Sequence, residues 1–203
     1  MAAVTSSSPA PLTLQLGPTV RLDDDQLFEI CSRNPELRVE RTATGELILM
    51  PPAGGKTSDR NSEITTQLGL WTRRNKTGRA FDSSGGFTLP NGAMRSPDAA
   101  WVELERLREL TSTQKERFLP LVPTFVIELR SPSDTLSTVE AKLDEYVDNG
   151  VRLGWLIDPV RKRLHVYRPQ AAVEILDKPA TISGDPELAG FVLELAEIWD
   201  PAW

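Results

Sequence analysis

At 203 residues the chain suits one compact domain plus a tail, and it carries a formal net charge of −6 with one cysteine and one histidine. Cys31 alone forms no intramolecular disulfide, and the single histidine, His165, excludes chemistry that needs two within one chain, the HExxH zinc motif included. The acidic balance argues against a broad phosphate-gripping surface, because nucleic-acid affinity comes mostly from neutralised phosphate charge, but it is compatible with a local basic groove around an acidic centre.

Residues 1–17 are rich in Ser, Pro and Ala and read as a disordered arm ahead of a single domain over 18–203. The opening lacks the positive start and apolar run of a secretory signal, and no stretch approaches membrane-spanning length, so the expected location is the cytoplasm. Asp23, Asp24 and Asp25 precede Leu27, Phe28 and Ile30, which predicts a short helix over 24–33 with acids at its positive end. Leu37, Val39 and Arg41 alternate with polar neighbours, Thr44-Gly45 supplies a turn, and 47–50 returns, which predicts a hairpin. Ile64, Leu68 and Trp71 fall at i, i+4 and i+7 and predict a helix over 59–75. Arg73, Arg74, Lys76 and Arg79 then read first as a basic helix end that suits the dipole, with phosphate contact second.

Residues 79–102 read as two strands joined by Pro90-Asn91-Gly92, the second containing Ser96-Pro97-Asp98. Residues 103–118 are charged and read as surface helix or loop. Thr124 to Leu129 is an apolar, β-branched run of the kind found in central strands. Ser131 to Asp134 reads as a turn and helix cap. The helix over 135–148 presents Leu136, Val139, Leu143, Tyr146 and Val147 on one face and stops at Asn149-Gly150. Strands are expected at 153–157, 164–167 and 173–176, before a closing segment over 191–199. Strands and helices alternating in this order predict an α/β (α+β type) domain with a mixed sheet flanked by helices.

Two carboxylates stand out. Asp98 follows a proline at the opening of a strand, and Glu128 lies inside the most apolar strand of the chain. A buried carboxylate needs a cation, a proton or hydrogen-bond donors. Strand side chains alternate, so Glu128 and Arg130 point the same way. Two carboxylates on neighbouring strand ends suit Mg²⁺ or Mn²⁺, hard cations that take oxygen ligands and keep several waters. Such an ion lowers the pKa of a bound water and offsets charge on a phosphate oxygen, and a nearby lysine would orient that water.

Pro97-Asp98 followed by Glu128-Leu129-Arg130 resembles the PD-(D/E)XK phosphodiesterase motif. The wider frame is similar to the Uma-two family of restriction-endonuclease-like proteins: Ser96-Pro97-Asp98, Pro123 through Ser133, Lys142, Tyr146, Gly150-Val151 and Trp155 through Pro159, over about residues 20–200. The resemblance implies a restriction-endonuclease-like core and a Mg²⁺- or Mn²⁺-dependent endonuclease acting on DNA, with Asp98 and Glu128 as metal ligands. Arg130 stands where the motif has lysine, and arginine neutralises charge without serving as a base. The resemblance moves the lysine's work to Lys142, about 40° beyond the edge of the apolar stripe at ~100° per residue, while Arg130 would support the scissile phosphate. It also implies an acid from the first long helix, for which Glu63 is the candidate. A homodimer would supply two centres for a duplex. The Arg130 departure and the acidic charge keep two alternatives open: a nuclease-fold binding module without activity, and a hydrolase of small phosphate esters.

Overall fold

The computed structural model describes residues 10–17 and 19–203. A six-stranded mixed sheet forms the centre, in the order β11-β10-β9-β8-β7-β4. Its strands are β4 (Gly78–Asp82), β7 (Ala99–Glu103), β8 (Phe125–Leu129), β9 (Leu153–Asp158), β10 (Arg163–Tyr167) and β11 (Glu174–Asp177). Only β8 and β9 run parallel among these pairs, and helix α5 (Leu136–Asp148), which follows the short α3 (Leu104–Arg108) and α4 (Ser112–Lys115) in the chain, makes the crossover between them. A parallel pair needs such a connection, which is why this helix stays beside the strand end that carries Glu128.

One face of the sheet buries Phe125, Ile127, Leu129 and Trp155 against Ile64 and Leu68 of α2 (Gly55–Asn75) and the closing residues Phe191, Leu193 and Ile198. The other face buries Ala100, Val126 and Leu156 against Val139, Leu143 and Tyr146 of α5. The two-residue alternation along β8 therefore sends Glu128 to the α5 side, with Val126. Helix α5 sits close to β9 because position 154 is glycine: a Cβ there would lie 2.7 Å from Leu143 Cδ1.

A second, five-stranded sheet in the order β1-β3-β2-β6-β5 packs with α1 (Asp24–Arg33). Its strands are β1 (Leu12–Leu14), β2 (Arg38–Arg41), β3 (Leu47–Met50), β5 (Phe87–Thr88) and β6 (Met94–Arg95). The β2–β3 hairpin turns at Gly45, whose φ of +94° is the left-handed region that glycine enters freely.

Several expectations change. The arm expected to be disordered over 1–17 is ordered at Leu12–Leu14, which pairs antiparallel with Leu47–Leu49; residues 1–9 of that arm lie outside the described residues. Backbone pairing holds it, since Leu12 and Leu14 stay exposed. The two strands expected over 79–102 are four, divided between the two sheets: β4 and β7 pair in the central sheet, while β5 and β6 form the hairpin across 90–92. Pro97 lacks an N–H and lies where the chain leaves one sheet for the other. The cap of α5 is Thr135, whose hydroxyl accepts from the Thr138 N–H. Asp134 instead ties the preceding turn, accepting from Ser131 N–H at 2.9 Å. A short pair, β12 (Thr181–Ser183) with β13 (Val192–Glu194), precedes α6 (Ala196–Trp199) and was not legible in the sequence. Among the described residues, no helix is long and apolar enough to cross a membrane.

Candidate active site

Strand register brings the two predicted carboxylates together. Ala99 pairs with Ile127, so one further step places Asp98 across from Glu128. The Leu129 N–H donates to Asp98 Oδ2 at 2.9 Å, and Asn61 of α2 donates its Nδ2–H to Asp98 Oδ1 at 3.0 Å. Glu128 accepts from the Tyr146 hydroxyl on Oε1 at 3.0 Å. Lys142 Nζ lies 2.8 Å from the same Oε1. Tyr146 follows Lys142 by four residues on α5, so one helix face delivers both groups to Glu128.

Lys142 has a second anion. Its ammonium donates to Glu40 Oε1 at 2.8 Å, from strand β2 of the other sheet. Glu40 in turn accepts from Arg95 Nη1 at 3.1 Å and from the Ser96 N–H at 3.0 Å. Arg95 Nε donates to Glu145 Oε2 at 2.6 Å. The result is a buried chain of alternating charge: Glu145, Arg95, Glu40, Lys142, Glu128. The alternation fails at one point. Glu128 is followed by Asp98, carboxylate beside carboxylate, and among the described residues Asp98 makes no ion pair of its own.

The titration behaviour follows this arrangement. Burial pushes Glu128 up to about 7; Lys142 opposes the rise, while the Asp98 and Glu40 charges add to it. Burial also raises Asp98, against the Leu129 N–H, Lys142, Arg38 and Asn61. For Glu40, burial is outweighed by the Lys142 and Arg95 charges and by hydrogen bonds from Lys142 and Ser96, which hold it below the usual range. Burial alone would lower Lys142, but Glu128 and Glu40 raise it instead, so the amine stays protonated. Burial, with the neighbouring carboxylates, keeps the Tyr146 phenol neutral and donating.

These groups open on a cleft of about 690 Å³ bounded by both sheets, α2 and α5. Arg38, Asn61, Asp98, Glu128 and Lys142 line it, with Ser131, Ser133 and Thr138 at the start of α5. Pro11 contributes a wall, so the segment read as part of a free arm borders the site.

Two expected residues are elsewhere. Arg130 does not line the cleft: its guanidinium donates to buried Asp158 Oδ2 at 2.9 Å and to the Asp134 carbonyl at 3.2 Å. A carboxylate with no exposed surface demands a cation, and Asp158 takes this one. Glu63 is also outside, because the helix phase turns it toward Gln67, whose amide donates to Glu63 Oε1 at 2.7 Å and to the Glu194 carbonyl at 3.0 Å. The residue of α2 that reaches the site is Asn61. His165 lies on β10 with Nδ1 3.6 Å from Glu140, away from the cleft, as a structural role requires.

Sequence reasoning missed Glu40, Arg95 and Asn61, and gave Tyr146, though part of the family frame, no role at the site. Tyr146 carried a signal, since a tyrosine on a buried stripe needs a partner for its hydroxyl. Glu40 and Arg95 carried none, because a charged residue alternating with apolar ones in a strand reads as solvent-facing.

Among the described residues, no three His, Cys, Asp or Glu side chains gather as a ready metal cage. The oxygen set at the break in the charge chain still fits a hard cation that keeps several waters. Asp98 and Glu128 supply two carboxylates, and the buried Asn61 Oδ1 beside them has no hydrogen-bond partner. Two neighbouring buried carboxylates and an orphaned buried carbonyl oxygen on a residue bonded to one of them form an oxygen-rich site short of positive charge.

The family's sequence model, Uma2 (Uma-two), described as "Putative restriction endonuclease", matches residues 24–196. The chain belongs to the Uma2 family. No curated protein sequence matches it. Among solved structures it resembles a protein from Anabaena variabilis titled a "putative nuclease belonging to DUF820", at 23% identity and a TM-score of 0.72, covering 88% of this chain and 97% of that one. That likeness shows the fold, a restriction-endonuclease-like core.

Proposed function

We propose that the chain is a divalent-metal-dependent endonuclease that hydrolyses phosphodiester bonds in DNA. The observation that carries the reading is the break in the charge chain, where Asp98 and Glu128 lie side by side at a cleft and the buried Asn61, which donates to Asp98, keeps its Oδ1 without a hydrogen-bond partner. Family membership supports the same reading. Asp98, Glu128 and Asn61 would hold Mg²⁺ or Mn²⁺, which when bound supplies an acidified water and a counter-charge for a phosphate oxygen.

The chain's own residues do the rest. Lys142 is a fixed cation, shared by Glu40 and Glu128 and held protonated, so it cannot remove a proton from water. Its work is to orient the attacking water and to meet the charge that builds on the phosphate. Glu40 positions that amine from the second sheet. Tyr146 fixes the Glu128 rotamer through its hydroxyl. Arg38 lines the cleft and would meet a substrate phosphate there, the role that the resemblance gives Arg130. A symmetric pair of chains would place two such sites on one duplex.

The test is a calorimetric Mn²⁺ titration of wild type, Asp98→Ala and Glu128→Ala, with plasmid nicking measured on the same samples. Saturable binding and nicking should both be present in wild type and both be lost in each variant. Turnover of a small phosphodiester with no cleavage of any DNA would favour the phosphate-ester hydrolase instead. Metal-free, inert wild type would leave a binding module.

A further inference from the structure

The two basic runs of the sequence have different fates. Arg161, Lys162 and Arg163 are partnered: Lys162 pairs with Asp200 at 2.6 Å, Arg163 with Asp177 at 2.8 Å, and Arg161 lies 3.9 Å from Asp158. Arg73, Lys76 and Arg79 are exposed, and among the described residues none of them pairs with a carboxylate. They line a groove of about 860 Å³ between α2 and the edge strand β4, with Thr65 and Thr66 on the helix wall. The one carboxylate of that groove, Asp82, is turned to its own loop, accepting from the Ser84 N–H and hydroxyl. In a chain of net charge −6, three uncompensated cations beside one groove are a local reversal of the overall field.

One hydrogen bond links the rim of the groove to the cleft. Asp82 forms its near end, and the next residue, Ser83, accepts at its carbonyl from Arg38 Nη2 at 2.8 Å; Arg38 lines the cleft. From Asp82 to Arg79 is about 10 Å along the strand. Along α2, Asn61 in the cleft and Arg73 in the groove are separated by about 18 Å of helix, roughly five nucleotide steps of a duplex strand.

We infer that the α2–β4 groove is a phosphate-backbone track, binding duplex DNA on the stretch that runs away from the cleft. This rests on the nuclease reading. Arg73, Lys76 and Arg79 contact successive phosphates, and the threonine hydroxyls add neutral donors. Such contacts position a duplex and carry no sequence information.

The experiment measures binding of a labelled 30-base-pair duplex in chelator across a salt series. It compares wild type with the triple variant R73Q/K76Q/R79Q and with R161Q/K162Q/R163Q, which removes the same number of charges from the partnered run. The groove triple should bind about tenfold to hundredfold more weakly, and its slope of log affinity against log salt should be shallower by about 2–3. The partnered-run triple should match wild type. R79Q alone, on the strand and away from the helix end, should lower the slope by about 1 and keep the wild-type melting temperature. Wild-type binding with an unchanged slope in the groove triple overturns the track and leaves the nuclease reading standing. No duplex binding by wild type at any salt overturns both.

Discussion

Two buried carboxylates end adjacent parallel strands and have opposite fates. Asp158, at the end of β9, accepts from the Val160 and Arg161 N–H groups at 3.0 and 3.2 Å and from Arg130 at 2.9 Å. Glu128, at the end of β8, draws both of its partners, Tyr146 and Lys142, to Oε1, shares the lysine with Glu40, and faces Asp98. The first corner is closed on itself. The second is short of a cation and lies on a cleft. Burial alone does not mark a functional acid; unmet demand for positive charge does.

The sharpest test of this contrast is the loss of each corner in turn. Asp98→Ala and Glu128→Ala should lower nicking by at least about 10²–10³-fold. Neither should unfold the protein, because each relieves repulsion, and thermal denaturation checks this. At the closed corner, Arg130→Ala leaves Asp158 buried without its cation. It should cost about 3–5 kcal/mol in denaturant unfolding while the folded fraction nicks at the wild-type rate. Equal loss of nicking there would erase the distinction and return Arg130 to the site.

Acidity should separate the corners next. Glu128 rises from an ordinary 4.5 to about 7 on folding, so between those values the folded state holds a proton that the unfolded state has released. Metal-free stability is therefore fully present below about 4.5 and is lost as pH rises toward 7, by on the order of 2–3 kcal/mol. Urea unfolding across that range reads the slope, and Glu128→Gln should flatten it. Mn²⁺ binding should tighten over the same interval, with proton release measured in buffers of different ionisation enthalpy.

Smaller effects come from the supporting residues. Glu40→Gln keeps a partner for Lys142 but removes a charge, and nicking should fall about tenfold with Mn²⁺ affinity retained. Glu63→Gln alters only the acceptor of one hydrogen bond from Gln67, so its stability should stay within about 0.5 kcal/mol of wild type, with nicking unchanged. Loss of Mn²⁺ binding in that variant would bring Glu63 back as a ligand.

What the sequence revealed and what it hid divide along the same physical line. The central sheet and its two helices announce themselves through apolar periodicity; Glu128 and Lys142 lie on those elements, and Asp98 directly precedes β7. Lys142 was placed by its phase on α5, a local property. Glu40 and Arg95 come from a different sheet, joined to α5 by long-range side-chain hydrogen bonds to Lys142 and Glu145, which periodicity within one element cannot report. Glu63 lies elsewhere for a related reason: Asn61 and Glu63 are two residues apart, about 200° around the helix, so they point nearly opposite ways, and which of them meets Asp98 depends on how α2 packs and not on its own pattern. Arg130 is drawn away from the cleft by Asp158, 28 positions along on the neighbouring strand, a pairing that no local pattern displays.

Gly154 carries a consequence for the lysine. Its missing Cβ sets the standoff between α5 and β9 at Leu143, the residue next to Lys142 on the same helix. The length of the lysine stem is fixed, so the clearance between a helix and a sheet is what decides whether the amine spans two carboxylates or reaches only one. A hydrogen atom on the far side of the core thus acts as the gauge block of the charge chain, calibrating a polar bridge by apolar contact alone.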